Sequence, residues 1–236
     1  MFHSITFGEK NTWDDWHLIP SSRPVINPPK VKTEYVDLPG TDGSLDLSEV
    51  VAGQAVYENR TGTIEFIVQN EFDVTDEYGT VYPMVSETDT ELGEWQDLHA
   101  DIMESLHGQV LVMILEDDPD YYYEGTFALE SWETGEHYST VKISYDLYPY
   151  KHPLEDVEYE VNGDCTVTLT GYDEPEVPTI IADTIDGDFS VTYNGSEYTL
   201  SVGVNVIPEL VMSAGINTLT FSGTGTAVIT YRGGIL

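Results

Sequence analysis

Val31-Lys-Thr-Glu-Tyr-Val-Asp-Leu-Pro39-Gly40-Thr41-Asp42-Gly43-Ser44-Leu45-Asp46-Leu47 is the stretch on which the fold is read. Residues 31–38 alternate roughly and run into Pro39-Gly40, so a strand meets a forced turn. Thr41-Asp42-Gly43 adds a second turn, because glycine takes positive φ cheaply and Asp42 can bond the nearby backbone. Leu45 and Leu47, separated by Asp46, then place two apolar side chains on one face of a returning strand. Tyr57-Glu58-Asn59-Arg60 follows, and 62–68 reads as a further strand. No metal cage and no phosphate-binding loop occurs here, so the segment reads as architecture.

Working outward, 5–8 is a short apolar run and Trp13 and Trp16 stand three apart, a pair that suits a core or an intersubunit contact better than a ligand platform. Pro24, Pro28 and Pro29 make 21–29 an extended arm or edge, since proline cannot donate to a sheet ladder. The acidic, turn-rich 70–90 reads as a long loop or insertion. From 92 to 107, Trp95, Leu98, Ile102 and Leu106 recur at spacings of three and four, one helical stripe, with Gly108 where a C-cap belongs. Asp97, Asp101 and Glu104 lie off the stripe and read as solvated, and His99 and His107 are too far apart for a metal pair at i,i+4.

The apolar run 110–115 predicts a buried strand, 116–120 a turn, and Tyr121-Tyr122-Tyr123 the start of a return strand packed into the core. Strands continue at 127–132 and 141–147, and Pro149 and Pro153 mark a boundary, giving units of 1–152 and 153–236. Beyond it, short strands at 166–170, 178–182, 189–193, 197–201, 218–222 and 227–232 predict a β-sandwich. Asn194-Gly195 between two alternating runs is a strong hairpin signal, because a type I′ turn wants positive φ at both positions.

A formal charge of −35, from 8 Lys+Arg against 43 Asp+Glu, makes nucleic acid and anionic membrane surfaces poor partners, since their charge would be repelled. With 40% hydrophobic residues in alternating runs, the chain nevertheless reads as folded. The lone Cys165 rules out an intrachain disulfide and any Cys-rich metal site. No run approaches the roughly 20 apolar residues of a membrane span, and no basic-then-apolar leader is visible, so the expectation is a soluble chain made in the cytoplasm. Acidic turns at 117–120 and 183–188 could offer oxygen ligands to calcium, but neither has the EF-hand spacing, and acidic turns are ordinary. No nucleophile elbow, dinucleotide fingerprint or P-loop occurs. The expectation is no catalytic, cofactor-binding or metal residue.

The early Trp13…Trp16-His17-Leu18, the run Val36-Asp37-Leu38-Pro39-Gly40-Thr41-Asp42-Gly43-Ser44-Leu45-Asp46-Leu47 with Arg60 after it, the helix, Tyr121-Tyr122-Tyr123-Glu124-Gly125, Pro149-Tyr150-Lys151 and the closing 215–223 and Ile229-Thr230-Tyr231-Arg232 together resemble the distal tail protein (Dit) family of siphophages. The resemblance implies a mainly β protein: an N-terminal tail-tube-like domain with one α-helix, six copies of which close into a ring, and a galectin-like C-terminal sandwich. It implies a non-enzymatic virion component of the tail tip, made in the bacterial host cytoplasm. Its partners would be other copies, the tail tube protein, the tip hub protein and receptor-binding or baseplate proteins. DNA would pass the lumen without being bound, and the Lys/Arg-free interval 61–141 suits a lumen that repels phosphate. The structural motif is Pro39, Gly40, Asp42, Gly43, Leu45, Asp46, Leu47 and Arg60. The alternative reading is a carbohydrate-binding module or adhesin acting through the C-terminal sandwich.

Overall fold

The computed structural model describes residues 2–37, 39–40, 42–48, 50, 54–69, 73–75, 81–83, 95–135 and 138–236. The chain divides into two compact units, Met1–Pro149 and Tyr150–Leu236. The first carries strands β1 (Ile5–Phe7), β2 (Lys10–Asn11), β3 (Ile19–Pro20), β4 (Tyr35–Asp37), β5 (Ser44–Asp46), β6 (Arg60–Gln69), β7 (Asp73–Thr75) and β8 (Val81–Pro83). Helix α1 (Trp95–Leu106) and strands β9 (Val110–Leu115), β10 (Asp118–Thr134) and β11 (Tyr138–Leu147) complete it.

Its main sheet runs β2-β1-β9-β10-β11-β6-β3 and is antiparallel at every pairing described. Alternation sorts its faces: Ile64, Phe66 and Val68 of β6 and Val141, Ile143, Tyr145 and Leu147 of β11 turn inward with Phe7, Met113 and Phe127. The helical stripe closes over them through Leu98, Ile102 and Leu106. Fully burying side chains of this size contributes about 1.5–3 kcal/mol each, so this stripe and not helix propensity holds α1 in place.

The helix ends as expected: His107 N bonds Met103 O at 3.0 Å, and Gly108 takes φ 73°. Four expectations need correction. The run 110–115 is buried only at Met113 and Leu115, while Val110 is exposed, because one face of the sheet is open. The return strand begins at Asp118, ahead of the tyrosines. The acidic segment 70–90, expected to be a loop, holds the two-stranded ribbon β7–β8; the rest of it lies outside the described residues. Asp101 is not merely solvated, since it accepts a hydrogen bond from Trp16 Nε1 at 2.6 Å and lies 3.6 Å from Lys10 Nζ. That bond lets Trp16 sit fully buried.

The second unit contains β12 (His152–Pro153), β13 (Val157–Asn162), β14 (Cys165–Gly171), β15 (Thr179–Tyr193), β16 (Ser196–Thr199), β17 (Gly203–Val206) and β18 (Gly215–Tyr231). Where the sequence predicts strand pairs at 178–182 with 189–193 and at 218–222 with 227–232, each pair is one long strand. Half of β18 pairs with β14 and half with β13; half of β15 pairs with β17 and half with β16. The long strands bend at register shifts between Ala182/Thr184 and Ile185/Phe189. Gly223, at φ 106°, lets β18 pass the bend, where a Cβ would meet Asp188 O at 1.9 Å. Both halves share one core, with Val161, Ile180 and Ile229 from one and Val167, Phe189 and Phe221 from the other. Asn194 and Gly195 take φ 48° and 82° in the predicted hairpin turn.

Candidate functional site

The described residues within 30–58 form an arm of the first unit. At its root Glu58 N bonds Lys30 O at 2.7 Å, Val31 bridges Tyr57, and Lys32 N bonds Val56 O at 2.7 Å. Further out, Leu47 N reaches Glu34 O at 2.8 Å and β4 pairs with β5 in the register Tyr35↔Asp46, Val36↔Leu45, Asp37↔Ser44. Pro39, Gly40, Asp42 and Gly43 form the tip, with Gly40 at φ 89° and Gly43 at φ 81°, conformations that side chains resist. Thr41 and Leu38 lie outside the described residues. Among the described residues, the strand expected over 31–38 is regular only over Tyr35–Asp37, because Val31 and Lys32 pair with 56–57 while Tyr35–Asp37 pair with 44–46.

Local polar bonds shape the arm. Ser44 Oγ donates to Asp37 Oδ1 at 2.6 Å, and Asp46 Oδ1 accepts from Ser48 N at 2.9 Å. The Ser48 hydroxyl, then the Ser48 amide, hold the Asp46 carboxyl below its ordinary value. What the arm lacks is cover. Every described residue from 31 to 46 is exposed, including Val31, Tyr35 at 60%, Val36 and Leu45 at 49%; Leu47 alone of the motif's apolar residues is half-buried. A two-stranded ribbon is marginal alone in water, so this one gains most from a surface that covers it. Covering the open half of such side chains contributes about 1 kcal/mol each.

Arg60 is the one motif residue that is buried, at 5% exposure, and composition gave no warning of it. Its Nε donates to Pro149 O at 2.7 Å and its Nη1 to Asn27 O at 3.3 Å, while the guanidinium carbon stands 5.6 Å from the Tyr123 ring centre. Nη2 is buried with no hydrogen-bond partner among the described residues. Burial pushes the guanidinium down from its ordinary value, opposed by the Tyr123 and Tyr145 hydroxyls. Asn27 is held in turn: its N donates to the Tyr145 hydroxyl at 3.2 Å and its Nδ2 to Thr61 O at 2.9 Å. Arg60 therefore fastens the segment entering the arm to the sheet below it. Sequence spacing joined Arg60 to the tip motif, but in space it sits at the opposite end of the arm.

The open face of the main sheet carries carboxylates. Rows Thr126–Asp146–Thr61 and Ala128–Ser144–Thr63 cross β10, β11 and β6, and Thr63 Oγ1 donates to Glu130 Oε2 at 2.9 Å. Lys142, the cation of this face, lies 3.6 Å from Glu65. The acidic turn considered for calcium is used otherwise: His3 Nδ1 lies 2.9 Å from both Asp117 oxygens and Arg23 Nε donates to Oδ2 at 2.8 Å. Those partners, His3 first, hold the Asp117 carboxyl below its ordinary value. Among the described residues no group of three His, Cys, Asp or Glu side chains could hold a metal ion, and no helix is long and apolar enough to cross a membrane.

No family model matches the sequence, and no curated protein does. Among solved structures, the fold matches the crystal structure of the SPP1 Dit protein (gp 19.1), described as a paradigm of the hub adsorption apparatus in phages infecting Gram-positive bacteria. The match covers 98% of this chain and 99% of that one, with a TM-score of 0.60 and 14% identity. This chain shares that protein's fold over nearly its whole length.

Proposed function

We propose that this chain is a structural hub component of a phage tail tip, acting by assembly and not by chemistry. The observation that carries the reading is the end-to-end fold likeness to SPP1 Dit, 98% of one chain on 99% of the other. Copies, six by the family resemblance, close through the first unit into a ring that joins the tail tube protein to the tip hub protein and to receptor-binding or baseplate proteins. The arm supports this: Val31, Tyr35, Val36 and Leu45 are exposed on a ribbon that no described residue of its own protomer covers, and a neighbouring copy is the surface offered repeatedly around a ring. The second unit presents a compact sandwich to outer partners. DNA passes the lumen unbound, kept off by carboxylates such as Glu65, Glu130 and Asp146 on the open sheet face. The site of action is the virion tail tip, after synthesis in the bacterial host cytoplasm.

Size-exclusion chromatography with light scattering tests the ring, using the parent and Val36→Glu/Leu45→Glu across a salt series. The expected parent mass is six times the 26.3 kDa protomer at high protomer concentration. Because each copy carries −35, assembly strengthens with salt as the screening length falls from about 30 Å at 0.01 M to about 3 Å at 1 M. The double variant stays folded, since both side chains are exposed, and remains a monomer. A parent that is monomeric at every salt and concentration, alone and mixed with tail tube protein, refutes the ring.

A further inference from the structure

Strand β17, four residues long, is an edge of the second unit's sheet that carries no charge of its own. It pairs with β15 on one side only, in the register Thr179↔Val206, Ile180↔Asn205, Ile181↔Val204, Ala182↔Gly203. Sheet edges in soluble proteins are blunted by shortness, charge, proline or a covering element; β17 is short and Pro208 lies two positions beyond it, but it lacks the charge. Here no charged residue occurs between Glu197 and Glu209, in a chain with 43 acids. Instead Val204 and Val206 share one face, exposed by 70% and 58%, and Val202, 67% exposed, precedes the strand at Gly203, which takes φ 100°. Asn205 points the other way and fixes the approach to the strand: its Nδ2 donates to Ser201 O at 2.7 Å and its Oδ1 accepts from Ser201 N at 2.9 Å.

The register extends the apolar face inward. Val204 lies beside Ile181, which lies beside Val228; Val206 lies beside Thr179 and then Thr230. The rows end on Glu160 and Glu158, both exposed. Exposed Asp183 adjoins Ala182, the residue paired with the first residue of β17, and exposed Glu209 follows the last by three. The strip is therefore uncharged along its length, with Val204, Ile181 and Val228 in one row and Thr179 and Thr230 beside Val206 in the other, and acidic at both ends and at its far margin.

We propose that β17 is a strand-addition site for an extended, basic polypeptide segment of a different protein. The segment lays apolar side chains at alternate positions against Val204 and Val206 and places Lys or Arg beside Asp183 and Glu209. Charge selects this occupant over a second copy. Two β17 edges brought together antiparallel would set the Asp183 end of one against the Glu209 end of the other, acid facing acid. The proposal does not depend on ring closure by the first unit.

The test is NMR titration of the full ¹⁵N-labelled chain with two synthetic peptides, acetyl-Lys-Val-Thr-Val-Thr-Val-Lys-amide and its counterpart with Glu at both ends. The Lys peptide is expected to shift the amides of residues 202–207 and to bind at least about tenfold more tightly than the Glu peptide, a difference that shrinks with salt. Val204→Thr/Val206→Thr keeps the β-branched shape and the fold, and should weaken binding by about fivefold, which is roughly 1 kcal/mol. Equal binding of the two peptides, shifts confined to other residues, or no shift at all overturns the proposal. A change in the oligomeric state of the double variant overturns it too, since it would assign the edge to a second copy.

Discussion

Replacing Arg60 by Met tests how the arm is anchored. The substitution removes two hydrogen bonds from a charged donor, to Pro149 O and Asn27 O, and the approach to the Tyr123 ring. Bonds of that kind contribute about 1.5–3 kcal/mol each, and a cation over an aromatic face adds roughly 0.5–2. Against this, a buried cation bears a desolvation cost of several kcal/mol, and the Nη2 orphan leaves part of it uncompensated. The net expectation is a loss of about 2–3 kcal/mol for Arg60→Met. Arg60→Lys should lose about 1–2, because an ammonium keeps the charge but cannot span both carbonyls. The four tryptophans, Trp13, Trp16, Trp95 and Trp132, all lie in the first unit, so tryptophan fluorescence in a urea series reports that unit alone. Hydrogen exchange then localises the effect: the Lys32 and Glu58 amides at the arm's root should lose protection first. A Met variant as stable as the parent, or one losing protection evenly across the unit, would refute the anchoring role.

Gly223→Ala should destabilise the second unit by about 3 kcal/mol or more, since the new Cβ falls 1.9 Å from Asp188 O at φ 106°. Gly187→Ala, at φ 87° with nothing within 4 Å, should cost only about 1 kcal/mol; circular-dichroism melts of the two variants compare them directly. Glu176 is held above its ordinary value chiefly by burial, with its Oε1 accepting from Arg232 N at 2.7 Å. A raised acid pKa means the folded state holds the proton more tightly, so this group lowers stability as pH climbs from its unfolded value through its folded one. Glu176→Gln should therefore raise the melting temperature at pH 7 and change it little at pH 4.

Much of this was legible because local chemistry and tertiary structure agree. The Leu98, Ile102, Leu106 spacing finds the helix because those side chains are buried against the sheet. Asn194-Gly195 finds its hairpin because the backbone demand is confined to two residues. The long strands β15 and β18 were read as pairs because Asp186-Gly187-Asp188 and Ser222-Gly223 look like turns, and only cross-strand pairing carries the chain through them. Strand β17 went unread because Gly203 and Asn205 leave two valines as its whole signal. Arg60 and Asp117 were out of reach for a different reason. Their partners, Pro149 and Asn27 for one and His3 and Arg23 for the other, are chosen by topology, to which composition is blind.

The continuity of β15 and β18 means that the two halves of the second unit have no seam between them. The halves draw their hydrogen bonds from different residues of these two strands, 179–185 with 225–230 and 189–192 with 220–223, but one unbroken backbone and one core join them. Damage at one end of this unit should travel to the other, so it will melt in a single step and resist being cut down to a smaller working piece.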